Sequence, residues 1–180
     1  MNRTARRCLL LALLALSAAP AFASVDEFEH KVDQALERLY RSDPLARDAT
    51  EHAIGVLVFP QVYKVGFGIG GALGDGALRV DGRTVQYYRT TALSFGFEIG
   101  AQGRTEVLLF TTQQALDGFR RSENWAVGID GSVAVFDLGD GKSVDSDTIR
   151  APIVGYIFDN KGLMYDLSLK GSKYWKISKR

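Results

Sequence analysis

The C-terminal end of the sequence combines cations with aromatic side chains. After Asp166 it holds five basic residues, no acidic residue and two aromatic residues, namely Lys170, Lys173, Tyr174, Trp175, Lys176, Lys179 and Arg180. Basic groups meet lipid phosphates, while tyrosine and tryptophan rings suit the depth of the headgroups. This cluster is therefore predicted as a lipid-binding surface. The alternative is a last strand in which Trp175 and Ile177 face the core and lysines extend past its ends.

Residues that could catalyse a reaction are few. The two histidines, His30 and His52, fall in predicted helices and form no H-E-x-x-H motif. No G-x-S-x-G motif is present, and four aspartates do not match the spacing of a calcium loop: Asp137, Asp140, Asp145 and Asp147. That acidic stretch is interpreted as a solvated turn. The sequence therefore predicts no catalytic residue, no metal site and a protein that is not an enzyme.

A glycine-rich apolar run occupies the stretch from Val65 to Leu78. Gly66, Gly68 and Gly71 spell G-x-G-x-x-G, which binds dinucleotides only where a helix begins at the third glycine. Gly74-Asp75-Gly76 follows, which favours a hairpin turn, so no cofactor is expected. Because glycine weakens strands unless backbones approach closely, the run predicts a strand pressed against neighbouring backbone where a small sheet curls or closes.

The first 23 residues have the pattern of a signal peptide. Three arginines precede an uncharged run from Leu9 to Ala23 that ends in Ala21-Phe22-Ala23, a small-residue cleavage site. The apolar core is too short for a membrane anchor, the alternative interpretation. Cleavage near Ala23 would leave 19 Lys and Arg against 21 Asp and Glu, a net charge of −2. We therefore expect a periplasmic or secreted protein that binds no nucleic acid.

The mature chain is predicted as one domain over residues 24–180. Residues 24–53 have apolar positions at helical spacing, and Asp43 and Pro44 mark the N-cap and first residue of a second helix. Residues 54–180 alternate like strands, with turns at Asp81-Gly82 and at Asn160 to Gly162 and one short helix after Thr111. The fold class is α+β and strand-dominated: a glycine-rich antiparallel sheet curled into a barrel or sandwich, with N-terminal helices and one inserted helix.

Several blocks in order resemble the SYLF family. They are Gly55-Val56-Leu57-Val58-Phe59-Pro60, the run Gly66 to Gly71, Ser94-Phe95-Gly96 with Ile99 to Gln102, Ala115 to Phe119, and Lys161 to Met164. The resemblance covers residues 46–177 and implies a lipid-binding domain. In eukaryotic members this domain binds phosphoinositides and accompanies actin-associated functions. A secreted bacterial-type chain would encounter neither actin nor, normally, phosphoinositides.

The sequence as a whole predicts a non-enzymatic phospholipid-binding protein of the cell envelope. Its partner would be an anionic membrane surface, bound through the basic and aromatic residues at the C-terminus with apolar contact. A structural or envelope protein-interaction module without a lipid ligand is the alternative, and an unrecognised hydrolase is the third.

Overall fold

In the computed structural model, which describes residues 25–138, 151–162, 169 and 171–179, one curled sheet dominates the fold. Its strands are β1 (Gly55–Val80), β2 (Arg83–Phe110), β3 (Asn124–Ala126), β4 (Ala134–Asp137), β5 (Ile153–Gly162) and β6 (Lys173–Ile177). The helices are α1 (Val25–Ser42), α2 (Pro44–His52) and α3 (Gln113–Arg121). The predicted strand-dominated α+β class, with a curled sheet, N-terminal helices and one inserted helix, is confirmed. The predicted signal peptide lies outside the described residues.

A long antiparallel ribbon of β1 and β2 organises the sheet. One edge of β2 pairs with β1, and its other edge pairs first with β6 and further along with β5. The ribbon turns at Asp81 and Gly82, which both have positive φ, as a tight hairpin requires and as predicted. The turn predicted at Gly74-Asp75-Gly76 is wrong, since β1 continues through it and Asp75 pairs with Arg89.

The remaining strands complete this half-barrel. β3 pairs with β6 and β4 pairs with β5, the second pair being parallel. The turn predicted from Asn160 to Gly162 is also strand, because Lys161 and Gly162 pair with Gly103 and Gln102 of β2. The strand predicted from Trp125 to Leu138 is interrupted between β3 and β4. Among the described strands, all pairs except β4 with β5 are therefore antiparallel.

Helices cover both faces of the sheet. On one face, Val56 and Val58 of β1 pack under α1 and α2. On the other face, Leu57 and Phe59 pack with α3. Successive strand residues point to opposite faces, so this uninterrupted apolar run serves two cores at once. The sheet thus becomes the middle of three layers, which holds α1 in a fixed position over β1.

Caps and apolar spacing define where the helices begin and which side they bury. Asp43 caps α2 and accepts a hydrogen bond from the Leu45 N–H, with Pro44 in the first turn, as predicted. The cap of α3 is Thr112, whose hydroxyl accepts from the Ala115 N–H, one residue later than predicted. Along α1, four residues at spacings of three and four are buried: Phe28, Val32, Ala35 and Leu39.

Arg79 joins α1 to the ribbon from the polar side. Its guanidinium donates to Glu29 Oε2 at 2.9 Å and to Asp33 Oδ1 at 2.5 Å, and only 15% of its side chain is exposed. Tyr87 donates a further hydrogen bond to Glu29 at 2.7 Å. Burial alone would raise the pKa of Glu29, but the hydrogen bonds from Arg79 and Tyr87 lower it below its ordinary value of 4.5.

Arg79→Gln is expected to lower the free energy of unfolding by about 1–2 kcal/mol, because α1 loses two charge-assisted hydrogen bonds. A group whose folded pKa is lowered stabilises above its unfolded pKa and loses this contribution as the pH falls through the folded pKa. The difference in unfolding free energy from wild type should therefore shrink below about pH 4.5.

Urea titrations of the Arg79→Gln variant and of wild type at neutral and acidic pH measure this difference. Arg83→Gln is the control, since Arg83 is exposed on the same ribbon. An equal effect of both substitutions would contradict the role of Arg79.

Two glycines allow β1 to fold back against itself. A Cβ on Gly76 would lie 2.6 Å from the ring of Phe59 and 2.8 Å from the carbonyl oxygen of Val58. A Cβ on Gly74 would lie 2.8 Å from the carbonyl oxygen of Gln61. Real Cβ atoms do not approach other atoms so closely. The second half of β1 therefore lies directly on its first half, and the close backbone contact predicted from the glycine run is present at these two positions.

Candidate functional site

The predicted basic and aromatic cluster lies on β6 and just after it. Lys173 and Lys176 are exposed, but they point to opposite faces of the strand because they are three residues apart. Trp175 is half-buried and pairs with Arg89 of β2 on one side and Asn124 of β3 on the other. Lys170 and Arg180 lie outside the described residues. The described members of the cluster therefore do not form one continuous surface.

Tyr174 belongs to the core and not to the surface. Its side chain is 1% exposed, and its ring packs against Phe59, Phe119 and Trp125 with centroids 5.5–6.0 Å apart. A ring enclosed by α3 and the sheet cannot reach a membrane, so the predicted lipid contact of Tyr174 is wrong. The alternative from the sequence named Trp175 as the core residue, and that assignment is wrong by one position along the strand.

Lys179, a member of the predicted cluster, lines an open groove between α1 and the bend of β1. The groove has a volume of about 520 Å³, within the usual range for ligand sites. Its basic wall comes from Lys31, Arg38, Arg89 and Lys179. Phe28, Tyr63, Leu73 and Asp75 are among the other lining residues. Cations from one helix, one central strand and the chain end therefore meet over a single depression.

Asp75 is the centre of charge in this groove. Arg89 donates to both of its oxygens, at 2.7 and 3.1 Å, and Lys179 Nζ lies 3.2 Å from Oδ2. Burial would raise the pKa of Asp75, but these hydrogen bonds and charges lower it below its ordinary value. Since two cations share one carboxylate, the triad has a net charge of +1. Arg38 is paired with Asp159 at another part of the wall.

Exposed apolar side chains lie beside these cations. Tyr63 and Leu73 line the groove with 63% and 52% of their surfaces exposed. Val65 follows Tyr63 on the same face of β1, and Leu93 of β2 lies diagonally opposite Leu73, because its partner is Gly71. All four are exposed, Leu93 by 71%. We call Tyr63, Val65, Leu73 and Leu93 the apolar rim.

Sequence reasoning missed the groove and the rim. The signal available was the pattern of large apolar residues at alternate positions of β1, but these were interpreted only as strand residues packed at a close contact. His30 and His52 are exposed, in agreement with their interpretation as surface residues. Among the described residues, no group of histidines and carboxylates could hold a metal ion, and no helix is long and apolar enough to cross a membrane.

Fold and site together define an α+β half-barrel domain with an open groove of mixed charge and an apolar rim. The family model of Ysc84, described as Las17-binding protein actin regulator, matches residues 91–179. The chain belongs to this family, the SYLF family, as its sequence blocks indicated. The family is not a known enzyme family, and it is associated with lipid or membrane binding and with protein interaction. No curated protein matches the chain.

Proposed function

We propose that this protein binds anionic phospholipid at a membrane surface of the cell envelope, without catalysing a reaction. The basic wall of the groove would hold headgroup phosphates, and the apolar rim would enter the boundary between headgroups and acyl chains. Exposed Lys173 and Lys176 would add to the attraction from the neighbouring β6. Export to the periplasm after cleavage near Ala23 is part of this proposal.

The observation that carries the proposal is the meeting of cations and exposed apolar side chains around one groove. Each cation near an anionic surface contributes about 1 kcal/mol. An exposed leucine gains about 1.5–3 kcal/mol when it is fully buried in an apolar medium, and less when it is partly buried. Neither contribution alone holds a domain on a membrane firmly, but the two combined resemble the charge and apolar contact by which peripheral proteins bind lipid.

The packed interior of the domain favours a lipid that binds at the surface over a lipid whose acyl chain is enclosed under the sheet. Aromatic rings pack between α3 and the sheet, with centroids of Tyr88, Phe110 and Trp125 within 5.4 Å of that of Phe119. Other buried positions hold polar side chains: Lys64, Thr90, Gln102, Arg104, Glu106 and Ser172. An acyl chain there would face charged and polar groups at a high free-energy cost. The lipid would therefore stay outside the sheet.

Leu73→Asn with Leu93→Asn is expected to weaken binding to phosphatidylglycerol vesicles about thirtyfold. Each partly inserted leucine would lose about 1 kcal/mol, and 1.4 kcal/mol is a factor of ten. Vesicle flotation measures the affinity. Ile129→Asn is the matched control, because Ile129 is 82% exposed but does not line the groove. Unchanged flotation of the double variant, or an equal loss with Ile129→Asn, would contradict insertion of the rim.

Salt separates this function from the alternatives. Raising the ionic strength should release the wild-type protein in part, since groove cations are screened over about 8–10 Å, while apolar contacts remain. A protein-interaction module would show no vesicle binding at any salt concentration, and the description of Ysc84 as Las17-binding is what supports this second candidate. Lipid breakdown products in the same assay would favour the third candidate, a hydrolase.

A further inference from the structure

The ammonium group of Lys179 occupies a small enclosure within the groove. It lies 3.9 Å from the centroid of the Phe28 ring and 3.2 Å from Asp75 Oδ2. An aromatic face and a carboxylate around one cation are the two elements with which proteins recognise ammonium ligands. We call Phe28 and Asp75 the ammonium box. Here it is filled by Lys179.

The two walls of the ammonium box are held without the help of Lys179. The Phe28 ring packs edge-on against Tyr87 with centroids 5.9 Å apart, on the inner side of α1. Asp75 lies within β1, paired with Arg89, which binds both of its carboxylate oxygens. Removing the Lys179 side chain would therefore leave the box with its shape and with the Asp75 carboxylate, paired then with Arg89 alone.

Lys179 is attached less firmly than the box that it fills. The sheet pairing of β6 ends at Ile177, so Lys179 lies two positions beyond the last paired residue. The side chain is 22% exposed, and Lys179 reaches the groove from the end of the strand. A segment beyond the last paired residue of a strand can leave its site without breaking the sheet. The lysine is thus an internal competitor for the box.

We propose that the ammonium box binds the primary ammonium of an ethanolamine phosphate group, free or as a phospholipid headgroup, and that Lys179 competes for this site. In such a ligand a phosphate follows the ammonium after two carbons, and Arg89 and Lys31 line the same groove to receive it. A primary ammonium fits better than a quaternary one, because it can donate to Asp75 as Lys179 does. The site differs from the anionic contact proposed above, since here one carboxylate is required.

The test is calorimetric titration of the full mature chain with soluble phosphoethanolamine. Lys179→Gln is expected to bind it about tenfold more tightly than wild type, because a cation–π contact and a partly exposed ion pair no longer compete. Lys176→Gln is the control, since it removes the same charge from β6 at an exposed position outside the groove. Adding Asp75→Asn to Lys179→Gln should remove the gain.

Vesicles of two compositions should show opposite changes in affinity for the Lys179→Gln variant. Lys179→Gln should bind vesicles containing phosphatidylethanolamine more tightly, but bind phosphatidylglycerol vesicles more weakly, because the groove has lost one cation. Binding of the soluble compound without the vesicle effect would identify the free phosphate ester as the ligand. A failure of all vesicle binding would sink the proposed function but not this site.

Any of the following results would overturn the inference: no measurable binding of phosphoethanolamine to Lys179→Gln, an equal gain in Lys176→Gln, or a gain that survives Asp75→Asn. If the Asp75 variant does not fold, Phe28→Leu replaces it, because leucine keeps the apolar contact under α1 while removing the aromatic face. Phosphocholine, which cannot donate to Asp75, should bind more weakly than phosphoethanolamine. Equal binding of the two would also contradict the proposed box.

Discussion

Gly76→Ala is expected to lower the free energy of unfolding by about 2–3 kcal/mol, although only one methyl group is added. The new Cβ would lie 2.6 Å from the Phe59 ring and 2.8 Å from the Val58 carbonyl oxygen. Phe59 is fully buried and the oxygen belongs to the backbone, so neither can move away without disturbing the core. Overpacking of this kind costs about 1–3 kcal/mol.

Gly71→Ala is the matched control for this substitution. Gly71 lies in the same strand, and its nearest neighbour would be the Ala92 carbonyl oxygen at 3.9 Å, an ordinary contact. Neither glycine has a positive φ, so the two substitutions differ in available space and not in backbone strain. Urea denaturation of both variants measures the difference. Equal stabilities would mean that the two halves of β1 are not pressed together.

The sequence predicted the features that depend on neighbouring residues. The cap at Asp43, the turn at Asp81-Gly82 and the strand-rich class follow from local conformational preferences, which act the same way in any fold. The glycine run also predicted a close backbone contact. It was placed correctly within Val65 to Leu78 because glycine inside an apolar strand commonly marks a site where another backbone approaches. Its partner, the earlier part of the same strand, was not predictable from the run itself.

Other features depended on contacts between distant residues. A proline commonly ends a strand, but β1 continues through Pro60 with a register shift between Phe59 and Val62. Such irregularities are where a strand accommodates proline. Similarly, side chains alternate along β6, so Tyr174 and Trp175 face opposite sides of the sheet. Because both residues are aromatic, the sequence pattern does not say which one is buried. Contact with Phe59 and Phe119 decides it.

The groove was missed for the same reason. Its ammonium box combines Phe28 from a helix with Asp75 from β1, and Lys179 fills it from beyond β6. No spacing in the sequence relates these three residues. The charge of Lys179 is visible in the sequence, and this residue does line the groove. Asp75 had been interpreted as a turn residue, whereas the close contact at Gly74 and Gly76 holds it in the middle of a strand.

A buried ion pair provides the largest single effect that we expect. Arg104 and Glu106 lie on the inner side of β2 with side-chain exposures of 3% and 1%, and both Nε and Nη2 of Arg104 lie 2.7 Å from Glu106 Oε1. Burial raises the pKa of Glu106 and Arg104 opposes this shift. Arg104→Met is expected to cost about 3–5 kcal/mol of unfolding free energy, because a buried carboxylate is left without this partner.

The pH dependence of that loss identifies its cause. Without Arg104 the pKa of Glu106 should rise further, and a group whose folded pKa is raised contributes stability below its unfolded pKa and loses it as the pH rises. Arg104→Met should therefore be closest to wild type near pH 4.5, the ordinary value for glutamate, and furthest from it near pH 8. Adding Glu106→Gln should restore part of the stability at pH 8, since the uncompensated charge is removed while the shape is kept. Thermal melts of wild type and both variants across this range are the measurement. A deficit that neither changes with pH nor responds to Glu106→Gln would mean that packing around the arginine, and not the charge of Glu106, stabilises this part of the sheet.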